Sequence, residues 1–302
     1  MAYRFKFSEA FDDGVRRIGL QQIDRAIVRL EAVDDEVVAV HETRKSLKRV
    51  RALLRLARPG LSEEVFAAEN HGFRDIGRLL AGPRDRFVLI ETTGKLESLA
   101  AGRAKTAVAA VRTKLIALNG GETVPVDATV IGQALSEIRN ARQRMSDMKL
   151  RASSFEVAFD GVKHTYKQAV RAFDAASASQ AGAEDIHEWR KRVQHHWRQM
   201  TLLSPAWPEM FAARVQTARE LSAALGEDHD IAMLLATLAD NGAATAVQLA
   251  AIETVAGERQ TALRQQSRAR GRQLFAEKPL AFRDRMRLYW ISAQDSNTSH
   301  PD

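Results

Sequence analysis

The sequence predicts an all-α protein, on three observations. Long stretches rich in Ala, Leu, Arg and Glu repeat their apolar residues with the 3.6-residue period of an amphipathic helix. Runs of alternating β-branched residues bounded by turns, which would indicate strands, are nearly absent from the 302 residues. Only 7 prolines are present, so few positions interrupt the helical pattern.

Helix-breaking residues divide the chain into segments of roughly 15 to 30 residues, each long enough to form a helix. The breaks are expected at Pro59-Gly60, Gly82-Pro83, 119–121, Ser204-Pro205 with Pro208, and Asn241-Gly242. The last segment, SAQDSNTSHPD (292–302), is polar and is expected to be a disordered tail.

The chain contains an internal repeat. Residues 40–61, VHETRKSLKRVRALLRLARPGL, match residues 186–207, IHEWRKRVQHHWRQMTLLSPAW, at an offset that pairs His41 with His187. A looser match pairs residues 74–90 with 219–235. A repeat this long indicates duplication of a small helical bundle, with halves at 1–150 and 151–291.

The first copy of the repeat places its cations on one face of a helix. At about 100° per residue, they fall within about 120° of the circumference around His41. These residues are Arg44, Lys45, Lys48, Arg51 and Arg55. Leu47 and Leu54 lie on the opposite face, which we expect to face the core.

The second copy repeats this basic stripe with fewer cations. Its members are His187, Arg190, Lys191 and Arg198, with His195 as an additional candidate. Gln194, Trp197 and Thr201 stand where the first copy has Lys48, Arg51 and Arg55. The second half should therefore bind a polyanion less strongly than the first.

Positions 43–58 contain no acidic residue. Like charges at i,i+4 repel, so this charge must be offset by acids on other helices or by a bound anion. A solvated face or an internal salt-bridge network is the alternative, but recurrence in both halves favours a phosphate-binding surface. Arg84, close to an expected helix N-terminus, and Arg139 and Arg142 at i,i+3 are further candidates.

Motifs for catalysis are missing or incomplete. HETRK and HEWRK have Lys45 and Lys191 where a zinc protease needs its second histidine. The DHD sequence at 228–230 suggests either a metal-dependent phosphohydrolase or, more simply, an aspartate capping a helix. Phosphate-binding glycine loops and the serine nucleophile elbow are not found. We therefore expect no enzyme activity and no cofactor.

The duplicated [V/I]-H-E-x-R-K helix opening, with its spaced cations, resembles the CHAD domain, the conserved histidine α-helical domain. The resemblance covers residues 8–280, approximately. It implies two four-helix bundles related by a pseudo-twofold axis, with basic faces converging on a central groove or pore. It also implies binding of inorganic polyphosphate and association with polyphosphate granules.

The resemblance further implies that the two stripes, from His41 to Arg55 and from His187 to Arg198, would face each other across the groove. Many relatives carry an added triphosphate-hydrolysing domain marked by E-x-E-x-K, a motif this sequence lacks.

The leading hypothesis is therefore a non-catalytic polyphosphate-binding protein, and the alternative is a nucleic-acid-binding protein. The formal net charge of +7 favours a polyanionic partner of either kind. The stripe lacks the interleaved aromatic residues that stack on bases, so nucleic acid is expected to bind as the weaker polyanion. The sequence is compatible with a homo-oligomer and does not predict the number of subunits.

The absence of cysteine, of an apolar leader segment and of any 18-residue apolar run predicts a cytoplasmic protein that does not enter membranes.

Overall fold

The structure is a computed structural model that describes residues 3–32, 35–118, 121 and 127–299. In these ranges the chain forms eleven α-helices and no strand, which confirms the all-α fold class. The helices are α1 (Phe11–Glu31), α2 (Glu36–Ala57), α3 (Glu63–Leu79), α4 (Gly82–Leu99), α5 (Gly102–Leu118), α6 (Ala128–Asp147), α7 (Glu156–Ser177), α8 (Ala183–Leu202), α9 (Pro208–Asn241), α10 (Ala246–Leu274) and α11 (Pro279–Ser299).

Local sequence sets most helix ends. The Asp35 carboxylate accepts a hydrogen bond of 3.0 Å from the Val38 amide and caps the start of α2. Pro59 and Pro205 lie in short 3-10 turns, at Arg58–Gly60 and Ser204–Ala206, that follow α2 and α8. Gly242 ends α9 with φ of 60°, a left-handed conformation that favours glycine.

Helix α9 differs from the sequence prediction. In the first half, Gly82-Pro83 separates α3 from α4, because proline lacks the amide hydrogen that a continuing helix needs. The aligned positions of the second half are Glu227 and Asp228, and α9 continues through them. The suggestion that 228–230 caps a helix is therefore wrong, since this segment lies inside α9.

The predicted disordered tail is a second difference. Helix α11 continues to Ser299, so the prediction is wrong for 292–299, while 300–302 lie outside the described residues. The segment packs back onto the fold, where Ser292 and Ser296 border a cavity beside Trp207. The Ser296 hydroxyl donates to the Ser292 carbonyl at 2.9 Å, so this polar side chain is satisfied within the helix itself.

Two groups of four helices pack together. One comprises α1, α2, α3 and α6, and the other comprises α7, α8, the first part of α9, and α11. Both contribute to one large apolar core. A second core joins α4 and α5 to the later part of α9 and to α10. The described helices are compatible with the expected pair of bundles, whose pseudo-twofold relation stays a prediction.

The two groups meet where α2 packs against α7 and α8. The buried Gln199 amide of α8 donates to the Ala52 carbonyl of α2 at 3.4 Å and to the Thr165 hydroxyl of α7 at 3.1 Å. Gly161 of α7 lies so close to α2 that a methyl group there would overlap the Leu56 carbonyl oxygen. This junction brings both copies of the basic repeat side by side.

None of the helices in the described ranges combines the length and apolar character that crossing a membrane requires.

Candidate polyanion-binding site

Helix α2 separates its charges from the core, as its amphipathic period predicts. Leu47, Val50 and Leu54 are at most 2% exposed, and they anchor the helix in the larger core. On the other face, Arg51 and Arg55 are partly buried and Lys48 is exposed. Packing of the apolar face therefore fixes the direction in which the basic stripe points.

In the described ranges, Arg51 and Arg55 of the stripe on α2 have no carboxylate within 4.0 Å. The Lys45 ammonium is 2.7 Å from the Glu42 carboxylate of the same helix. Other cations are held by neutral groups of α3: the Arg44 guanidinium donates to the Gly77 carbonyl, and Arg51 donates to the Asn70 amide oxygen at 3.3 Å. Carbonyl and amide oxygens position these guanidinium groups without cancelling their charge.

Four cationic or basic side chains from the two repeats meet at the junction of α2 and α8: Arg51, Arg55, Arg192 and His195, which we call the central basic cluster. Burial, followed by repulsion from Arg51 and Arg192, lowers the pKa of Arg55 to about 10. Burial and the neighbouring arginines hold the pKa of His195 well below its usual range, so the imidazole is neutral near pH 7.

Helix α7 and the turn after α2 border this cluster. The Arg192 guanidinium donates to the Gln168 amide oxygen of α7 at 2.6 Å and pairs with Glu188 at 2.5 Å. Arg58 lies 3.3 Å from the His164 ring nitrogen and also pairs with Glu63 at 3.0 Å. Two carboxylates thus face the rim of the cluster, while Arg55 has none within 4.0 Å among the described residues.

Several predicted site residues have a buried nitrogen without a hydrogen-bond partner. Such an atom costs free energy unless a ligand or water satisfies it. Among the described residues they include Arg55 Nε, His187 Nδ1, Arg190 Nε, His195 Nδ1 and Arg198 Nε. The arginine nitrogens can each donate a hydrogen bond to an oxyanion.

Two cations of the basic stripe on α8 have acidic neighbours. Arg190 lies 3.9 Å from Asp230, and Lys191 lies 3.4 Å from Glu188 and 3.7 Å from Glu184. These contacts offset part of the positive charge of α8, and weaker binding by the second half stays a prediction.

His187 stacks on His229 of α9, with ring centroids 4.1 Å apart. Burial and this second imidazole lower the pKa of His187 to about 4, and burial also lowers the pKa of His229. Both rings are therefore neutral near pH 7 and contribute hydrogen-bonding capacity instead of charge. His41, the counterpart of His187 on α2, is partly buried.

The structure brings some predicted residues together and separates others. Arg198 stacks on Trp197 with a cation–π distance of 4.2 Å, and its charge also contributes to the lowered pKa of His195. Arg139 and Arg142 of α6 pair with Glu31 and Asp24 of α1 at 2.7 and 2.6 Å, on the exterior of the first helix group. The side chain of Arg84 lies outside the described residues, although its position near the start of α4 is as expected.

Sequence reasoning missed Arg192 and His164. On a helical wheel Arg192 falls on the apolar side of α8, outside the stripe. A charged residue at such a position is itself a signal, because an arginine is seldom placed toward a core without a partner or a ligand.

The first aspartate of the DHD sequence forms an ion pair inside the fold. The Asp228 carboxylate is 2% exposed and pairs with Arg264 of α10 at 2.8 Å. Among the described residues, no three or more His, Asp or Glu side chains come together to hold a metal ion.

Comparison with known proteins supports a fold and a family. The structure is similar to that of PptA from Streptomyces chartreusis, with a TM-score of 0.56 and 14% sequence identity over 89% of this chain and 100% of that one. No curated protein matches the sequence significantly. A family model for the CHAD domain matches residues 18–239, about three quarters of the chain. By that match, the protein belongs to the CHAD domain family.

Proposed function

We propose that this protein binds inorganic polyphosphate and does not hydrolyse it. The observation that carries the proposal is the central basic cluster, where cations of both repeats meet and Arg55 lacks an acidic partner among the described residues. Family membership supports the same ligand, because polyphosphate binding is the known association of CHAD domains.

Arginine is well suited to this ligand. A guanidinium group keeps its charge when partly buried and can donate two parallel hydrogen bonds to one phosphate. Arg51 and Arg55 are one helical turn apart, so they can contact successive phosphates along a chain. Lys48 would add charge from the exposed end of the stripe.

The burial of these cations favours a thin and flexible polyanion over a duplex. The phosphates of double-stranded DNA lie on the surface of a broad, stiff duplex. Such a duplex cannot bring its phosphates close to partly buried side chains. We take the two repeats to be products of one duplication, with basic faces that form a shared groove. The proposed location of the protein is the cytoplasm, on polyphosphate granules.

The test is a titration of the purified protein with long-chain polyphosphate and with double-stranded DNA at equal phosphate concentration and near-physiological salt. We expect tight binding of polyphosphate and much weaker binding of DNA. The double variant Arg51→Gln, Arg55→Gln should lose most polyphosphate affinity. The matched control is Arg139→Gln, Arg142→Gln, which removes the same charge from the exterior of α6.

Equal or reversed preference for DNA would instead support a nucleic-acid-binding protein. Equal losses in the two double variants would show that only net charge matters. Release of orthophosphate from polyphosphate with an added divalent metal, abolished by His229→Ala, would establish an enzyme and overturn the non-catalytic part of the proposal.

A further inference from the structure

A second group of arginines lies on a different side of α2 from the central basic cluster. It comprises Arg49 of α2, Arg198 of α8 and Arg219 of α9, together with Tyr3 and Trp197; we call it the Trp197 cluster. Arg49 and Arg51 are two positions apart along the helix, so their side chains leave it about 160° apart.

Aromatic rings hold these arginines. The guanidinium carbons of Arg198 and Arg219 lie 4.2 and 4.8 Å from the centroid of the same Trp197 ring. Arg49 lies 5.7 Å from the centroid of Tyr3, whose hydroxyl donates to the Arg49 carbonyl at 2.8 Å. A ring orients a guanidinium by cation–π attraction and leaves its positive charge uncompensated.

Glu42 acts on the charge of Arg49 only from a distance and forms no ion pair with it. Within the described ranges, no carboxylate comes within 4.0 Å of Arg49, Arg198 or Arg219. Their described hydrogen bonds go to neutral oxygens, from Arg49 to Gln22 at 3.2 Å and from Arg198 to the Gln194 carbonyl at 2.7 Å. The arginines of α10 contrast with them, since Arg259 and Arg264 each pair with a carboxylate.

Without a ligand, the buried charge of Arg198 destabilises the Trp197 cluster. Its side chain is only 6% exposed, and its Nε is buried without a partner. Burial, with repulsion from Arg49 and Arg219, lowers the pKa of Arg198 to about 10. A buried cation that lacks a counter-ion is strongly disfavoured, and an anion seated among three guanidinium groups would offset that cost.

We propose that Arg49, Arg198 and Arg219 form a separate site for a single phosphate group. A tetrahedral oxyanion can accept several charge-assisted hydrogen bonds from guanidinium groups that surround it. The group is either free orthophosphate or the terminal phosphate of a short chain. The site uses neither Arg51 nor Arg55, so it can exist whether or not long-chain polyphosphate binds to the central basic cluster.

The experiment measures the thermal unfolding midpoint against orthophosphate in one arm and tripolyphosphate in the other, with ionic strength held constant by chloride. Arg219→Gln is the main variant, since Arg219 is exposed and its loss should leave the fold intact. Arg49→Gln is the second variant. Arg272→Gln, which replaces an exposed arginine of α10, is the control of equal charge.

We expect a saturable rise of the midpoint for the parent protein and the control. Each of the two cluster variants should need at least about tenfold more ligand for half of that rise. A response to orthophosphate identifies the free ion as ligand, whereas a response to tripolyphosphate alone identifies a chain end. The proposal is overturned if the parent shows no saturable rise in either arm, or if both cluster variants respond like Arg272→Gln.

Discussion

Individual arginines in this fold differ chiefly in how their charge is compensated. Arg264 pairs with the buried Asp228, whereas Arg55 faces Arg51 and Arg192 and has no acid within 4.0 Å among the described residues. Stability and ligand binding therefore oppose each other at Arg55. Without a bound anion, the partly buried and uncompensated charge of Arg55 destabilises the folded state.

Replacement of Arg55 by methionine should separate these two effects. Arg55→Met removes a repelled cation but keeps the apolar stem, so we expect the free energy of unfolding to rise by about 1 kcal/mol while polyphosphate affinity falls. Denaturant unfolding and a binding titration measure the two quantities. In Arg264→Met, by contrast, the buried Asp228 loses its partner, and the protein should lose about 3 kcal/mol. Similar destabilisation in both variants would contradict this distinction.

The partly buried His187 makes stability depend on pH. The folded state lowers the pKa of His187 to about 4 by burial and by the neighbouring His229. Below the unfolded-state value of about 6.5, only the unfolded chain takes up the proton, so the free energy of unfolding should fall as pH falls from about 6.5 to about 4. Above that window, His187 contributes no pH dependence.

Urea unfolding between pH 4 and 8 tests this expectation. His187→Gln should reduce the slope of stability against pH in that window by up to about 1.4 kcal/mol per pH unit, the limit for one proton. An unchanged slope in the variant would show that His187 titrates equally in the folded and unfolded states.

At the scale of helices, the contact between α2 and α7 positions the central basic cluster. Gly161 allows the α7 backbone to approach the Leu56 carbonyl of α2, and no larger residue fits without moving one helix. Gly257 of α10 has no atom within 4 Å of the place where a Cβ would stand. The two glycines therefore provide a matched comparison.

Gly161→Ala should destabilise the protein by about 3 kcal/mol, since overpacking at backbone contact cannot be relieved by a side-chain rotation. Gly257→Ala should stabilise it by about 0.5 to 1 kcal/mol, because alanine has the higher helix propensity. Denaturant midpoints measure both changes. Equal effects would mean that α7 can move away from α2 at little cost.

Helices α2 and α8 should also contribute unequally to polyphosphate binding. Arg190 and Lys191 of α8 have acidic neighbours on α8 and α9, whereas Arg51 and Arg55 of α2 have no carboxylate within 4.0 Å among the described residues. The double variant Arg51→Ala, Arg55→Ala should therefore weaken binding by at least about tenfold, and the double variant Arg190→Ala, Lys191→Ala should weaken it by clearly less. Titrations at one salt concentration compare the two variants, and equal losses would contradict the asymmetry.

For the whole molecule, the excess of positive charge makes salt the main external control of binding. Single-stranded nucleic acids show a slope of log affinity against log salt of about −0.7 per neutralised phosphate, so about six phosphate contacts would give roughly −4. The same titration repeated from low to high salt measures this slope. Removal of Arg51 and Arg55 should make the slope less steep by about 1.4, and a slope near zero in the parent would rule out electrostatic binding.

Much of this architecture follows from the sequence alone. Apolar residues with a 3.6-residue period predicted helices, and Pro59-Gly60, Gly82-Pro83 and Asn241-Gly242 predicted where helices begin or end. The segregation of Arg51 and Arg55 from the buried Leu47 and Leu54 was equally predictable. All of these are local properties, because a helix closes its hydrogen bonds within four residues and repeats its faces every turn.

Only the tertiary structure decided which cations meet and which are compensated. Arg55 approaches Arg192 and His195 of the other repeat, Arg49 lies with Arg198 and Arg219, and Asp228 pairs with Arg264. The position of 292–297 beside Trp207, a residue distant in the sequence, also depended on the tertiary structure. The period of a helix determines which face a side chain occupies, but the angle at which two helices cross determines what that face meets, and that angle comes from packing between residues far apart in the chain.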